Sequence, residues 1–270
     1  MNVHDDSPTT LNEVSDILSQ APSIAACSLR PHPVCCLFVS WNGCLVFVYD
    51  GFPPPLVQSK TRITNNNNAA LHLKEENFGS KWPKTTLGAV MDDADELSVE
   101  QFTRLKHICH RFSKRIIDAS VSTHNNMSRS NEIKVTTLSI VDYKQRGLER
   151  LNERIDVPLD DSTMKEDSVN ITPSKEEQSR VNSVTSEWND VQAYLPKVNA
   201  PGSRIDSYRQ ASRGFTCVAF IDSSLSQHLR DVLSEFRGVV DEEFPGRYGW
   251  LDETSLHCTL RSLDKDAKGR

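Results

Sequence analysis

The sequence predicts an α+β fold in which two β-α-β-like halves, carrying polar insertions, face each other across a central cleft. Three observations lead there. Two β-rich runs flank Asn42-Gly43, which is a strong hairpin signal. A strand–helix–strand pattern occurs twice, over residues 44–90 and again over 215–263. The closing strand of each pattern repeats one alternation: Lys84-Thr85-Thr86-Leu87 in the first, His257-Cys258-Thr259-Leu260 in the second.

The elements follow in order. Residues 1–33 are polar, with helical spacing at Leu11, Val14, Ile17 and Leu18, and read as an N-terminal extension that is disordered or weakly docked. The main domain spans 34–264, with a first half at 34–157, a flexible insertion at 158–200, a second half at 201–264 and a tail at 265–270. The hairpin joins Val34–Val39 to Cys44–Tyr49. Gly51 to Pro55 turns the chain into a short helix over 56–63, and Asn65–Asn68 is a loop. Lys84–Val90 is a strand. Ser98-Val99-Glu100-Gln101 is a capping-box pattern. It opens a helix whose apolar stripe is Val99, Phe102, Leu105, Cys109, Phe112 and Ile116. Residues 120–131 are a polar loop, 133–143 a strand and 145–154 a short charged helix. Residues 158–187 hold few apolar side chains, so they read as a flexible linker. Phe215–Ile221 is a strand. Ser224-Leu225-Ser226-Gln227 is a second capping box opening a helix to residue 243, and Tyr248–Leu263 returns as a strand.

Bulk properties narrow the function. The 270 residues are 37% hydrophobic with a formal net charge of −6, and the mean hydropathy is −0.49. Such a balance argues against a surface built to hold duplex nucleic acid by its phosphates, though a local basic cleft stays open. Seven cysteines, mostly in apolar runs and with no C-x-x-C pair, read as buried thiols of a reducing compartment. The acidic start, His4-Asp5-Asp6, is unlike a signal peptide, and the apolar runs are too short for a bilayer. A cytoplasmic location, with the nucleus as an option, is expected, with no membrane partner.

The repeated strand motif carries the chemistry. Side chains at i and i+2 of a strand share one face. His257 and Thr259 therefore stand together, as do Lys84 and Thr86. Two such strands related by a pseudo-twofold axis bracket one phosphate. The hydroxyls donate to its oxygens, and basic groups move protons to and from the reacting atoms. The scheme calls for no metal and no cofactor. Arg261, at the next same-face position, either adds charge to the cleft or marks the strand's solvated end. Tyr248 and Trp250 either stack a base at the cleft mouth or belong to the core. His107 and His110, three apart on a helix, read as a solvated face rather than a metal pair.

The segment Trp82-Pro83-Lys84-Thr85-Thr86-Leu87-Gly88, together with His257-Cys258-Thr259-Leu260, resembles the paired motifs of the two-histidine (2H) phosphoesterase superfamily. That superfamily includes 2′–5′ RNA ligase-like proteins and cyclic nucleotide phosphodiesterases. The resemblance spans roughly residues 34–264. It implies a divergent eukaryotic member acting on, or binding, a nucleotide or an RNA end that carries a 2′,3′-phosphate. It gives His257, Thr259, Lys84 and Thr86 catalytic roles, while the strand positions of Arg261, Tyr248 and Trp250 make them the candidate substrate contacts. The sequence departs from the family at Lys84, where a histidine is usual. A lysine near its reference pKa of ~10.4 is a poor base at neutral pH but a good partner for phosphate. Three states follow: an active variant with lysine as electrostatic stabiliser, a nucleotide-binding pseudoenzyme, or a vestigial site. A rival expectation is a non-catalytic protein whose basic amphipathic helix at 102–116 docks a calmodulin-type partner.

Overall fold

A computed structural model describes residues 7–66, 73–74, 81–121, 131–162 and 172–264. Among these, ten strands and seven helices form a mixed α+β domain. The main sheet is antiparallel throughout. Its strands are β2 (Leu37–Val39), β3 (Leu45–Val48), β4 (Lys84–Val90), β10 (His257–Ser262), β8 (Gly214–Phe220), β6 (Thr137–Tyr143) and β7 (Leu151–Pro158), in that spatial order. β9 (Tyr248–Trp250) continues alongside β4. A small second sheet pairs β1 (Cys27–Leu29) with β5 (Ile133–Val135).

The hairpin forms where Asn42-Gly43 places it. Both turn residues take positive φ, 61° and 75°, a backbone region open to glycine and tolerated by asparagine. The helix α2 (Pro54–Asn65) starts with proline in its first turn, where a missing N–H costs nothing. At the start of α3 (Val99–Val121) the capping box closes reciprocally. The Ser98 Oγ accepts from Gln101 N at 3.2 Å, and Gln101 Oε1 accepts from Ser98 N at 2.9 Å. α3 and α7 (Gln227–Glu243) pack side by side, with Phe112 edge-on to Phe236 at 5.6 Å.

Several expectations need correction. The N-terminal segment is no loose extension. α1 (Ser7–Ser19) buries Leu11, Val14, Ile17 and Leu18 against α2 and the β6–β7 hairpin, and β1 joins a sheet. Residues 145–154 are not a helix, although Glu and Arg favour one. Residues 151–158 pair with β6, and that non-local pairing overrides the local propensity. The segment expected to be a flexible insertion holds α4 (Lys175–Ser186) and α5 (Val191–Asn199). Its few apolar residues sit where they count: Val181, Trp188, Tyr194 and Val198 are buried, and Trp188 and Tyr194 pack on Phe38 of β2. The second helix is capped by Ser226, whose Oγ accepts from Leu229 N, while Ser224 lies in a 3₁₀ turn before it. The strand expected over 248–263 breaks at a 3₁₀ turn, Glu253–Ser255, into β9 and β10.

The apolar stripe of the helix at 102–116, expected as a calmodulin-type docking face, is packed inside the protein. Phe102, Leu105, Cys109, Phe112 and Ile116 are fully buried, and Arg104 and Arg115 pair with Glu243 and Glu235 of α7. The two segments expected to repeat each other pack differently: α7 lies against α3, and α2 lies against α1. Residues 265–270, most of the loop at 120–131 and the centre of the acid-rich stretch lie outside the described residues. No helix among the described residues is long and apolar enough to cross a membrane.

The cap assignment is testable. Ser226→Ala should cost about 1 kcal/mol in a denaturant titration, the usual worth of an N-cap serine, while Ser224→Ala should be near neutral. The reverse ranking would return the cap to Ser224.

Candidate functional site

One pairing positions the site. β4 and β10 run antiparallel as neighbours, with Cys258 opposite Thr85. Both of these side chains are fully buried on the core face. Alternation then sends the residues on either side of each to the opposite face. This register sets Lys84 beside Thr259 and Thr86 beside His257, as cross-strand neighbours whose Cβ atoms lie about 4.5–5.5 Å apart. All four line a single cavity of ≈ 390 Å³. Its remaining walls come from Lys81 and Trp82 before β4, Tyr143 and Arg146 at the β6–β7 turn, Tyr208 of α6 (Ile205–Arg209), Leu251, and Ser262 and Asp264 at the end of β10.

His257 is held in one tautomer. Its Nδ1 lies 2.7 Å from the Ser255 carbonyl oxygen, which can only accept, so Nδ1 carries the proton. Nε2 is left with a lone pair. Burial lowers the pKa of the ring below its usual 6.5, and the Ser255 carbonyl offsets part of that shift. Phe220 meets the imidazole edge-on at 6.1 Å. The ring is therefore neutral at physiological pH.

Lys84 is half-buried on the cavity wall, with Nζ 4.3 Å from the centre of the Trp82 ring. Burial, helped by the neighbouring Arg146 and Lys81 cations, pulls its pKa from 10.5 down to about 8. That change matters for the lysine-for-histidine question. An amine titrating near 8 exchanges protons at physiological pH, which an ordinary lysine does not.

The cavity is cationic although the chain is acidic. Lys81, Lys84 and Arg146 line it against the single carboxylate of Asp264. Arg146 lies over the Tyr208 ring at 5.0 Å and donates to Ser203 Oγ at 2.7 Å. A backbone bond from Gly147 N to the Tyr208 carbonyl ties the β6–β7 turn to α6. Thr259 Oγ1 has no protein partner among the described residues, so it has a hydrogen bond to give.

The three residues expected as substrate contacts do not reach the cavity. Arg261 is turned away by a β-bulge: the β10–β8 register shifts between Thr259 and Arg261, which reverses the alternation. Its buried guanidinium instead donates to Thr64 Oγ1 at 2.9 Å, at the end of α2. Ser262 takes the cavity position that Arg261 was expected to hold. Tyr248 is buried in the core. Trp250 packs on Phe236 and donates from Nε1 to Asp241, on the α7 side of the sheet. Sequence reasoning missed Arg146, Tyr208 and Tyr143. Arg146 sits in a stretch read as helix, and nothing local marks Tyr208. His107 and His110 lie on α3, with the His110 ring against Trp188 at 4.9 Å. Among the described residues no group of three or more His, Cys, Asp or Glu is placed to hold a metal ion.

Neither protein-family models, nor curated proteins, nor solved structures yield a match to this chain.

The state of Lys84 can be measured directly. Acylation of Lys84 followed against pH should show a midpoint at about 8, and Arg146→Ala should move it upward by removing a neighbouring cation. A midpoint at the ordinary 10.5 would mean that the amine is solvated.

Proposed function

We propose that this chain is a divergent 2H-type phosphoesterase in which Lys84 stands at the position of the first histidine. Its cavity takes the phosphate of a nucleotide or of an RNA 2′,3′-end. The observation that carries the reading is the convergence of Lys84, Thr86, His257 and Thr259 on one cationic cavity through a single strand pairing. The lowered pKa of Lys84 supports activity over a vestigial site.

The chemistry divides between the two basic groups. Neutral His257 Nε2 takes a proton from an attacking water as its oxygen bonds to phosphorus. The bond from phosphorus to the leaving oxygen breaks, and the Lys84 ammonium protonates that oxygen. The Thr86 and Thr259 hydroxyls donate to the non-bridging oxygens, while Arg146 and Lys81 offset their charge. Each proton-transfer group is worth ~10²–10⁴ in rate. The hydrogen-bond donors matter because they are already in place before charge develops.

The signs of the two pKa shifts fix the pH dependence. His257 must be neutral, so kcat/KM rises with pH through a value below 6.5. Lys84 must be charged, so kcat/KM falls again through about 8. A bell with those limbs should appear in 2′,3′-cyclic nucleotide turnover. His257→Ala should lower the rate by ~10²-fold or more. Lys84→Arg should remove the alkaline limb and also lower the rate ~10²-fold or more, since arginine stays charged but cannot give its proton to the leaving oxygen. Absence of turnover in the wild-type chain across this range would overturn the catalytic reading.

A further inference from the structure

A second chamber of ≈ 450 Å³ adjoins the first. The two share Trp82, Lys84, Thr86, Arg146 and Tyr208 as a common wall. Both volumes fall within the ~300–1,000 Å³ of small-ligand sites. The outer walls of the second chamber come from the β2–β3 turn, with Trp41 and Asn42, and from the helical segment after residue 172, with Val184, Tyr194 and Ser203. A phosphate seated against Lys84 and Thr86 lies at the boundary between the chambers. The two ester substituents of an open phosphodiester then leave in different directions, one into each.

The chemistry of the second chamber indicates what enters. Trp41 is 52% exposed, one of two large apolar side chains left so among the described residues. It is nonetheless held in place. Its Nε1 donates to Glu187 Oε2 at 2.9 Å, and Lys197 Nζ lies 5.4 Å from the ring. An exposed indole clamped in one orientation is a ready stacking surface for a base. Asn42 lines the same chamber from a left-handed turn position, and its side-chain amide has no protein partner among the described residues. That amide rests against Gly202, where a Cβ would come within 2.4 Å of it. It offers one acceptor and two donors, the set that pairs with the edge of a base. An apolar tail in this chamber would cover the amide and leave it unsatisfied, at a cost.

We infer that the second chamber binds a nucleoside on the far side of the phosphate, so that the ligand is a chain of at least two nucleotides. The base stacks on Trp41, and Asn42 hydrogen-bonds its edge. This rests on the phosphate-binding reading of the first chamber. The segment read from sequence as an insertion thereby supplies part of the substrate site.

The test compares two open-chain phosphodiesters of equal charge: a nucleoside 3′-(methyl phosphate), and a dinucleotide in which a second nucleoside replaces the methyl group. Dissociation constants are measured on the full chain carrying His257→Asn, so that neither ligand is consumed. The dinucleotide should bind about tenfold or more tightly, the scale of one stacked base. Trp41→Ala and Asn42→Ala should each move the ratio of the two constants toward one. Trp41→Phe, which keeps a stacking ring, should retain most of it. Gly202→Ala, which crowds the Asn42 amide, should lower it. Equal constants for the two ligands would overturn the second-chamber inference and leave the phosphate site standing. Failure of both ligands to bind would overturn the two together.

Discussion

The site depends on the register between two central strands. Cys258 faces Thr85 across β10 and β4, and both side chains point into the core. Thr85 is fixed there by a 2.8 Å hydrogen bond between its hydroxyl and that of Tyr49, which is itself fully buried. A slip of one residue would send the polar neighbours into the core and the core residues into the cavity. Burying an ammonium and an imidazole without partners costs far more than the slip could return. The hydrophobic core therefore enforces the placement of the polar cluster on the other side of the same sheet.

That pairing also explains the layout around it. An antiparallel pair has a local twofold axis perpendicular to the sheet. In the order β3-β4-β10-β8 each motif strand has an outer neighbour, β3 beside β4 and β8 beside β10, while β9, which lies between β8 and β10 in the chain, pairs with β4. Behind the sheet, α3 and α7 lie against each other, with α3 on β2 and Phe236 of α7 on Trp250 of β9. The four cavity side chains thus stand on the two neighbouring strands in the middle of the sheet. The residues that shape access, Arg146 at the β6–β7 turn and Tyr208 on the short α6, stand on its connections, where variation is tolerated.

Much of this was legible in the chain, and what was not has identifiable causes. The alternation Lys84-Thr85-Thr86-Leu87 made the start of β4 readable, and the reciprocal Ser98–Gln101 cap marked the start of α3. Local pattern failed wherever a distant partner decided the outcome. Residues 151–158 look helical until β6 is there to pair with them. α4 and α5 look like linker because their core contacts are few, yet Trp188 and Tyr194 are large enough to anchor the segment on Phe38. The assignment of Arg261 failed because one extra residue at Leu260 reverses the alternation, and a bulge leaves no mark in composition. Alternation did foretell that Lys84, Thr86, His257 and Thr259 share a face on each strand. The lowering of the Lys84 pKa was not legible, since it comes from burial and from Arg146, more than sixty positions away in the chain.

The electrostatics follow from the same geometry. A chain of net charge −6 gathers three cations and a neutral imidazole around one concave surface, with a single carboxylate among them. Removing water from such a cluster strengthens its attraction for an anion and makes one of its amines easier to deprotonate. The most direct measurement is a crystal structure of the His257→Asn chain with a 2′,3′-cyclic nucleotide bound. The account requires the phosphate to lie within ~3 Å of Lys84 Nζ and of the Thr86 and Thr259 hydroxyls. A phosphate bound elsewhere on the molecule, or one touching only surface lysines, would contradict it.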